Sequence, residues 1–77
     1  MSEKMQNVPI TTEFIKLESA LKLANVVYSG GEAKALIQQG EALVNGEVCT
    51  MRGKKLYPGD EVEFMGMHLK ISINESK

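Results

Sequence analysis

Between Ser29 and Asp60 the chain reads SGGEAKALIQQGEALVNGEVCTMRGKKLYPGD. This stretch decides the fold. Ser29-Gly30-Gly31-Glu32 has the spacing of a capping box, in which the Ser hydroxyl accepts from the amide three residues on and the Glu carboxylate reaches back to the Ser amide. A helix is predicted from there to about Gln39, with Ala33, Leu36 and Ile37 as its apolar face and Gly40 as a left-handed stop. Ala42–Val44 and Glu47–Cys49 then flank Asn45-Gly46, a strong hairpin signal. Arg52, Lys54 and Lys55 follow as a basic turn, and Pro58-Gly59-Asp60 marks another turn.

Working outward, Leu17, Ala20, Leu21 and Ala24 recur at i, i+3, i+4 and i+7, which predicts a short amphipathic helix ahead of the capped one. Two helices this short do not persist alone, so they must pack on each other and on a sheet. Further upstream, Val8, Ile10, Thr12 and Phe14 alternate and predict a strand. Pro9 lacks an amide hydrogen, so that strand should start there or lie at a sheet edge. Residues 1–7 are polar and expected to fray. Downstream, Val62 and Phe64 alternate with Glu61 and Glu63, and Leu69, Ile71 and Ile73 alternate with Lys70, Ser72 and Asn74. Each set reads as a half-buried strand, with Gly66 in the turn between them and Met65 and Met67 packing an edge. The predicted class is α+β: a helix-turn-helix-like pair on one side of a small, mainly antiparallel sheet.

Composition narrows the function. Seventy-seven residues suit one domain spanning 1–77. Nine Lys and Arg against ten Asp and Glu give a net charge of −1, so any binding of a polyanion must rest on local clustering. Two Phe, two Tyr and no Trp argue against a sheet that stacks bases on aromatic rings. One cysteine makes no intrachain disulfide and suits a reducing compartment. No apolar run is long enough for a signal peptide or a membrane span, so a cytoplasmic location away from membranes is expected.

The candidate chemistry is electrostatic. Arg52, Lys54 and Lys55 suit phosphate contacts, and Gly53 lets a partner come close to the backbone. The bland alternative is a solvated hairpin tip. The free amides at Ser29, Gly30 and Gly31, with Lys34 one turn in, suit an anion, although Glu32 competes for them and a plain capped helix explains the same residues. Cys49 and His68 lack the orienting group and oxyanion donors that a nucleophile–base pair needs, and they read as a buried strand cysteine and a surface histidine. Too few ligands are present for structural zinc. No cofactor and no enzymatic activity are expected.

Lys16-Leu17-Glu18, Ser29 with Ala33-Lys34, Gln39-Gly40, Val44-Asn45-Gly46 and Gly59-Asp60 together resemble the S4-type RNA-binding domain, with its alpha-L motif. The resemblance covers about residues 16–64. Gly-Gly-Glu-Ala-Lys and Arg-x-Lys-Lys-Leu make the chain most similar to small stand-alone bacterial members. It implies binding of structured RNA, ribosomal or transfer RNA, by the two-helix face and adjoining hairpin, with ribosomal particles as possible partners. The residues implied are Lys16, Lys22, Lys34, Arg52, Lys54 and Lys55, beside Ser29, Gly30 and Gly31 from the helix start. One departure is Gly30, where many members carry Arg after the capping Ser. Weaker affinity than in strongly basic relatives is therefore expected. The rival expectation is a protein-interaction module that keeps the fold and pairs through an edge strand near Val8 or Leu69. A ubiquitin-like sulfur carrier requires a C-terminal Gly-Gly, and the sequence ends Asn74-Glu75-Ser76-Lys77. For the RNA reading, Lys22, Lys34, Arg52 and Lys55 should share one surface.

Overall fold

A computed structural model describes residues 5–74. The elements run β1 (Met5–Ile10), β2 (Ile15–Lys16), α1 (Leu17–Leu23), α2 (Gly30–Gln38), β3 (Ala42–Val44), β4 (Glu47–Val48), β5 (Lys55–Leu56), β6 (Glu61–Phe64) and β7 (Met67–Ile73). Five strands form one sheet in the order β1-β7-β6-β3-β4, and β2 pairs with β5 in a separate ribbon. All pairings are antiparallel except β1 with β7, which is parallel. This is the expected α+β class.

Alternation along the strands gives the sheet one apolar face. Val8, Ile10, Ala42, Val44, Val62, Phe64, Leu69 and Ile71 join Leu17, Ala20, Leu21, Ala24, Ala33 and Ile37 of the helical segment in a single core. The sheet's other face carries Glu61 and Glu63, because β6 alternates exposed and buried along its length.

Both helices end in the same way. Val26 N donates to Leu21 O and Asn25 N to Lys22 O after α1; Glu41 N donates to Leu36 O and Gly40 N to Ile37 O after α2. Each is a Schellman motif with its left-handed residue at Asn25 (φ 63) or Gly40 (φ 87). The Gly40 stop is legible in sequence; the Asn25 stop is not, because Asn also serves in many turns. Gln6 of β1 donates from Nε2 to Ala24 O (3.0 Å), tying the first strand to the end of α1.

Four details differ from the sequence reading. The alternation from Val8 to Phe14 is not one strand: β1 covers Met5–Ile10 and the chain bends at 11–13. Of the seven residues expected to fray, 1–4 lie outside the described residues. Met5–Asn7 pair with His68–Lys70, a parallel contact across the whole chain that no local pattern announces. Pro9 does lie on an edge strand, but Leu69 does not, since β7 runs between β1 and β6. Met65, Met67 and Ile73 are exposed rather than packed: Met65 sits in the two-residue turn with Gly66, and Ile73 lies at the end of β7.

Candidate nucleic-acid interface

The segment from Arg52 to Leu56 is not a hairpin tip. Its backbone docks on the start of α1: Leu17 N donates to Lys54 O (2.9 Å) and Glu18 N to Arg52 O (3.0 Å). These carbonyls satisfy two of the amides that the first turn of a helix leaves open. Lys16 at the N-cap offers no side-chain cap, so the docked loop does that work. The chain then continues into β5, where Ile15 faces Leu56 and Lys16 faces Lys55 across the ribbon. Leu56 is fully buried and Ile15 packs on the core, so the lysine pair projects outward.

The result gathers Lys16, Arg52, Lys54 and Lys55 at one end of α1. All four are exposed, and among the described residues none forms an ion pair with a carboxylate. Like charges directly opposite in an antiparallel pair repel, and the positive end of the α1 dipole adds to the same side. Lys55 gains one attraction within the fold. Its Nζ lies 4.9 Å from the centroid of the Phe14 ring, which in turn meets Tyr57 at 5.9 Å in a tilted pair. Phe14 and Tyr57 are supports that sequence reasoning missed. The signal was an aromatic residue on either side of the paired Lys16 and Lys55, but only the ribbon pairing makes it meaningful.

The other candidates lie elsewhere on the helical layer. Lys22 is exposed in the last turn of α1, about 9 Å along the axis from Lys16 at the usual rise per residue. Lys34 is exposed on α2, which packs against α1. The pairing that gathers the four cations does not reach Lys22 or Lys34. Ser29 caps α2 as expected, its Oγ accepting from Glu32 N at 3.2 Å. The capping box is shifted at its other half: Glu32 Oε1 accepts from Tyr28 N (2.7 Å), one residue before the Ser amide. Glu32 therefore does not occupy the amides of Gly30 and Gly31.

Neither of these glycines is needed by the fold. Both have ordinary backbone angles, a Cβ on Gly30 would meet nothing within 4 Å, and one on Gly31 would meet only Ser29 Oγ at 3.9 Å. Replacing both with Ala is therefore expected to raise stability by about 1 kcal/mol, through helix propensity and a less flexible unfolded chain. A urea titration measures this, and a drop in midpoint would mean that one of the two glycines meets a packing demand in the fold.

The remaining turns brace the sheet. Asn45 (φ 52) and Gly46 (φ 89) form the β3–β4 turn, and Gly59 (φ 101) follows Pro58 in the turn before β6. Asn45 and Asp60 bond to each other, Nδ2 to Oδ1 at 3.3 Å. Asn45 Oδ1 also accepts from Glu61 N (3.0 Å), and Asp60 Oδ2 accepts from Tyr57 N (2.8 Å). The two turns read separately in sequence are thus one hydrogen-bonded unit that fixes Tyr57 and the end of β5. Cys49 is half-buried just past β4 rather than a buried strand residue, and His68 is half-buried on β7 rather than fully on the surface, with β3 and β6 between those strands. Among the described residues no group of three or more His, Cys, Asp and Glu could hold a metal, and no helix is long and apolar enough to cross a membrane.

This docked basic loop on a two-helix unit, with the Asn-Gly hairpin beside it, places the chain in a class. The S4 domain family model matches residues 8–72, and the chain belongs to that family. A curated relative from Bacillus subtilis (strain 168), described as a probable ribosome maturation protein, RlbA, is 51% identical over 59 residues, covering 77% of this chain and 83% of its own length.

Proposed function

We propose that this chain is a non-enzymatic protein that binds structured RNA, ribosomal or transfer RNA, through the face formed by Lys16, Arg52, Lys54 and Lys55, with Lys22 and Lys34 on the helices as separate, secondary contacts. The observation that carries this reading is the Lys16–Lys55 pair. The fold holds two like charges opposite each other and adds Arg52 and Lys54, and among the described residues none of the four is held in an ion pair, although Glu18 lies in the first turn of α1 and Glu47 and Asp60 share a groove with Lys54 and Lys55. A phosphate backbone would relieve that repulsion and release its own counterions. The acidic side chains of β6 lie on the sheet face that does not form the core, which is consistent with a cationic side on a slightly acidic protein. Membership of the S4 family and the relative's link to ribosome maturation support ribosomal particles as the partner to test. At α2 the open amides of Gly30 and Gly31 stand where Arg would otherwise reach a phosphate.

Recognition of shape and backbone fits this surface better than reading of bases in a single strand, since the sheet offers no aromatic platform. Engagement of about four phosphates gives an expected slope of about −3 for log affinity against log salt. Co-sedimentation with ribosomal particles at low and high salt is the direct test. Release at high salt supports the RNA contact. Persistent binding at high salt would favour the rival reading, in which the open edge of β1 adds to a partner's sheet.

A further inference from the structure

A groove of about 630 Å³ opens between the β3–β4 hairpin and the segment that leads into β5. Its volume is within the usual range for a small-molecule site. Val48, Cys49 and Met51 line one part of it, and Lys54, Lys55 and Tyr57 another. Three of these are large apolar or aromatic side chains left in water: Val48 is 61% exposed, Met51 65% and Tyr57 46%. None of the three is needed to fill the core. They sit beside Lys54 and Lys55, neither of which forms an ion pair among the described residues, though Lys55 Nζ also lies over the Phe14 ring, a juxtaposition that core packing does not ask for.

We infer that this groove seats one unpaired nucleotide, a bulged or loop residue of a structured RNA, with its base against Val48, Met51 and Tyr57 and its phosphate on Lys54 and Lys55. The inference rests on the RNA-binding reading above and adds to it a requirement for an extruded base. The occupant follows from the lining. A base has an apolar face of the size that these side chains offer, and stacking on an aromatic ring tolerates any base. A phosphate always accompanies the base, and the lysines are within the same groove. Glu47, on the hairpin wall, disfavours a phosphate there and so fixes the orientation. Asn45 and Asp60 also line the groove, but their side chains are engaged with each other and with backbone amides, so the turn beneath stays rigid. A peptide strand is a poorer occupant, because the strand edges that reach the groove, those of β4 and β5, span two residues each.

The test compares two synthetic RNA hairpins, one fully paired and one identical except for a single bulged nucleotide. Binding is followed by fluorescence anisotropy at low salt. The natural protein should prefer the bulged hairpin by roughly tenfold, the effect of one stacked base. The double variant Val48→Ser with Met51→Ser should cut that preference to about threefold, because only Tyr57 is left to stack on the base, and keep its affinity for the paired hairpin within about twofold, because the phosphate contacts remain. Both positions are exposed, so its thermal melt should match the natural protein. Cys49, the single cysteine, gives a second readout in the unaltered chain: the bulged hairpin should slow its alkylation by iodoacetamide, and the paired hairpin should not. Equal affinity for the two hairpins, or a preference undiminished in the double variant, overturns the inference and leaves the RNA-binding reading intact. Failure to bind either hairpin overturns both. Protection of Cys49 by nuclease-stripped ribosomal proteins, with no preference for the bulge, assigns the groove to a protein segment instead.

Discussion

Replacing Arg52, Lys54 and Lys55 together with alanine is expected to weaken RNA binding by roughly 100- to 500-fold at about 0.1 M salt, the effect of losing three released counterions at 0.7–0.9 per contact. The same variant should flatten the salt dependence from a slope of about −3 to about −1. Its fold should survive. The loop is held by the carbonyls of Arg52 and Lys54, which alanine keeps, and by Leu56, which is untouched. Loss of the Lys55 contact with Phe14 costs about 0.5–1 kcal/mol, and removing one member of the Lys16–Lys55 pair offsets part of that. Anisotropy with a hairpin RNA and a urea melt on the same preparation check the two halves. Unchanged affinity in a folded variant would falsify the assignment of the site.

The largest effect on stability is expected at Phe64. It is 1% exposed on β6, between β3 and β7, with Ala42 as its cross-strand neighbour in β3. The ring fills the space that this small residue leaves, so Phe64→Ala opens a cavity at the centre of the sheet. The expected cost is about 3–5 kcal/mol. A chain of this length has a total stability of only about 4–12 kcal/mol. The variant should therefore be partly or wholly unfolded at room temperature, seen as a large fall in urea midpoint or the absence of a cooperative transition. Met65→Ala, one residue on at an exposed turn, should change stability by no more than about 0.5 kcal/mol. A similar loss at both positions would mean that the core is not centred on β6.

Much of the candidate site was legible residue by residue. The cap at Ser29, the stop at Gly40 and the turns at Asn45-Gly46 and Pro58-Gly59 each depend on chemistry confined to a few neighbouring positions. Glu32 shows the limit of that: the box is present, but its carboxylate takes the Tyr28 amide, a choice made by the local backbone path. The cations were legible as candidates and not as a site. Lys16 lies far from Lys55 in the chain, and their pairing depends on a two-residue ribbon with too few positions to show alternation. Ile73 and Met67 follow the strand pattern and are still exposed, because burial at a sheet end depends on what covers it.

The sequence by itself determined the order of the two helices and of the main-sheet strands, the cap and stop of α2, the turns and the S4 pattern, because helix period, strand alternation and turn chemistry act over a handful of adjacent residues. Only the tertiary structure decided that β1 pairs in parallel with β7, that the Arg52–Leu56 segment caps α1, and that Asn45 and Asp60 form one brace. Those contacts join residues far apart in the chain. They exist because open helix amides and turn side chains must find partners once a shared core has brought them together.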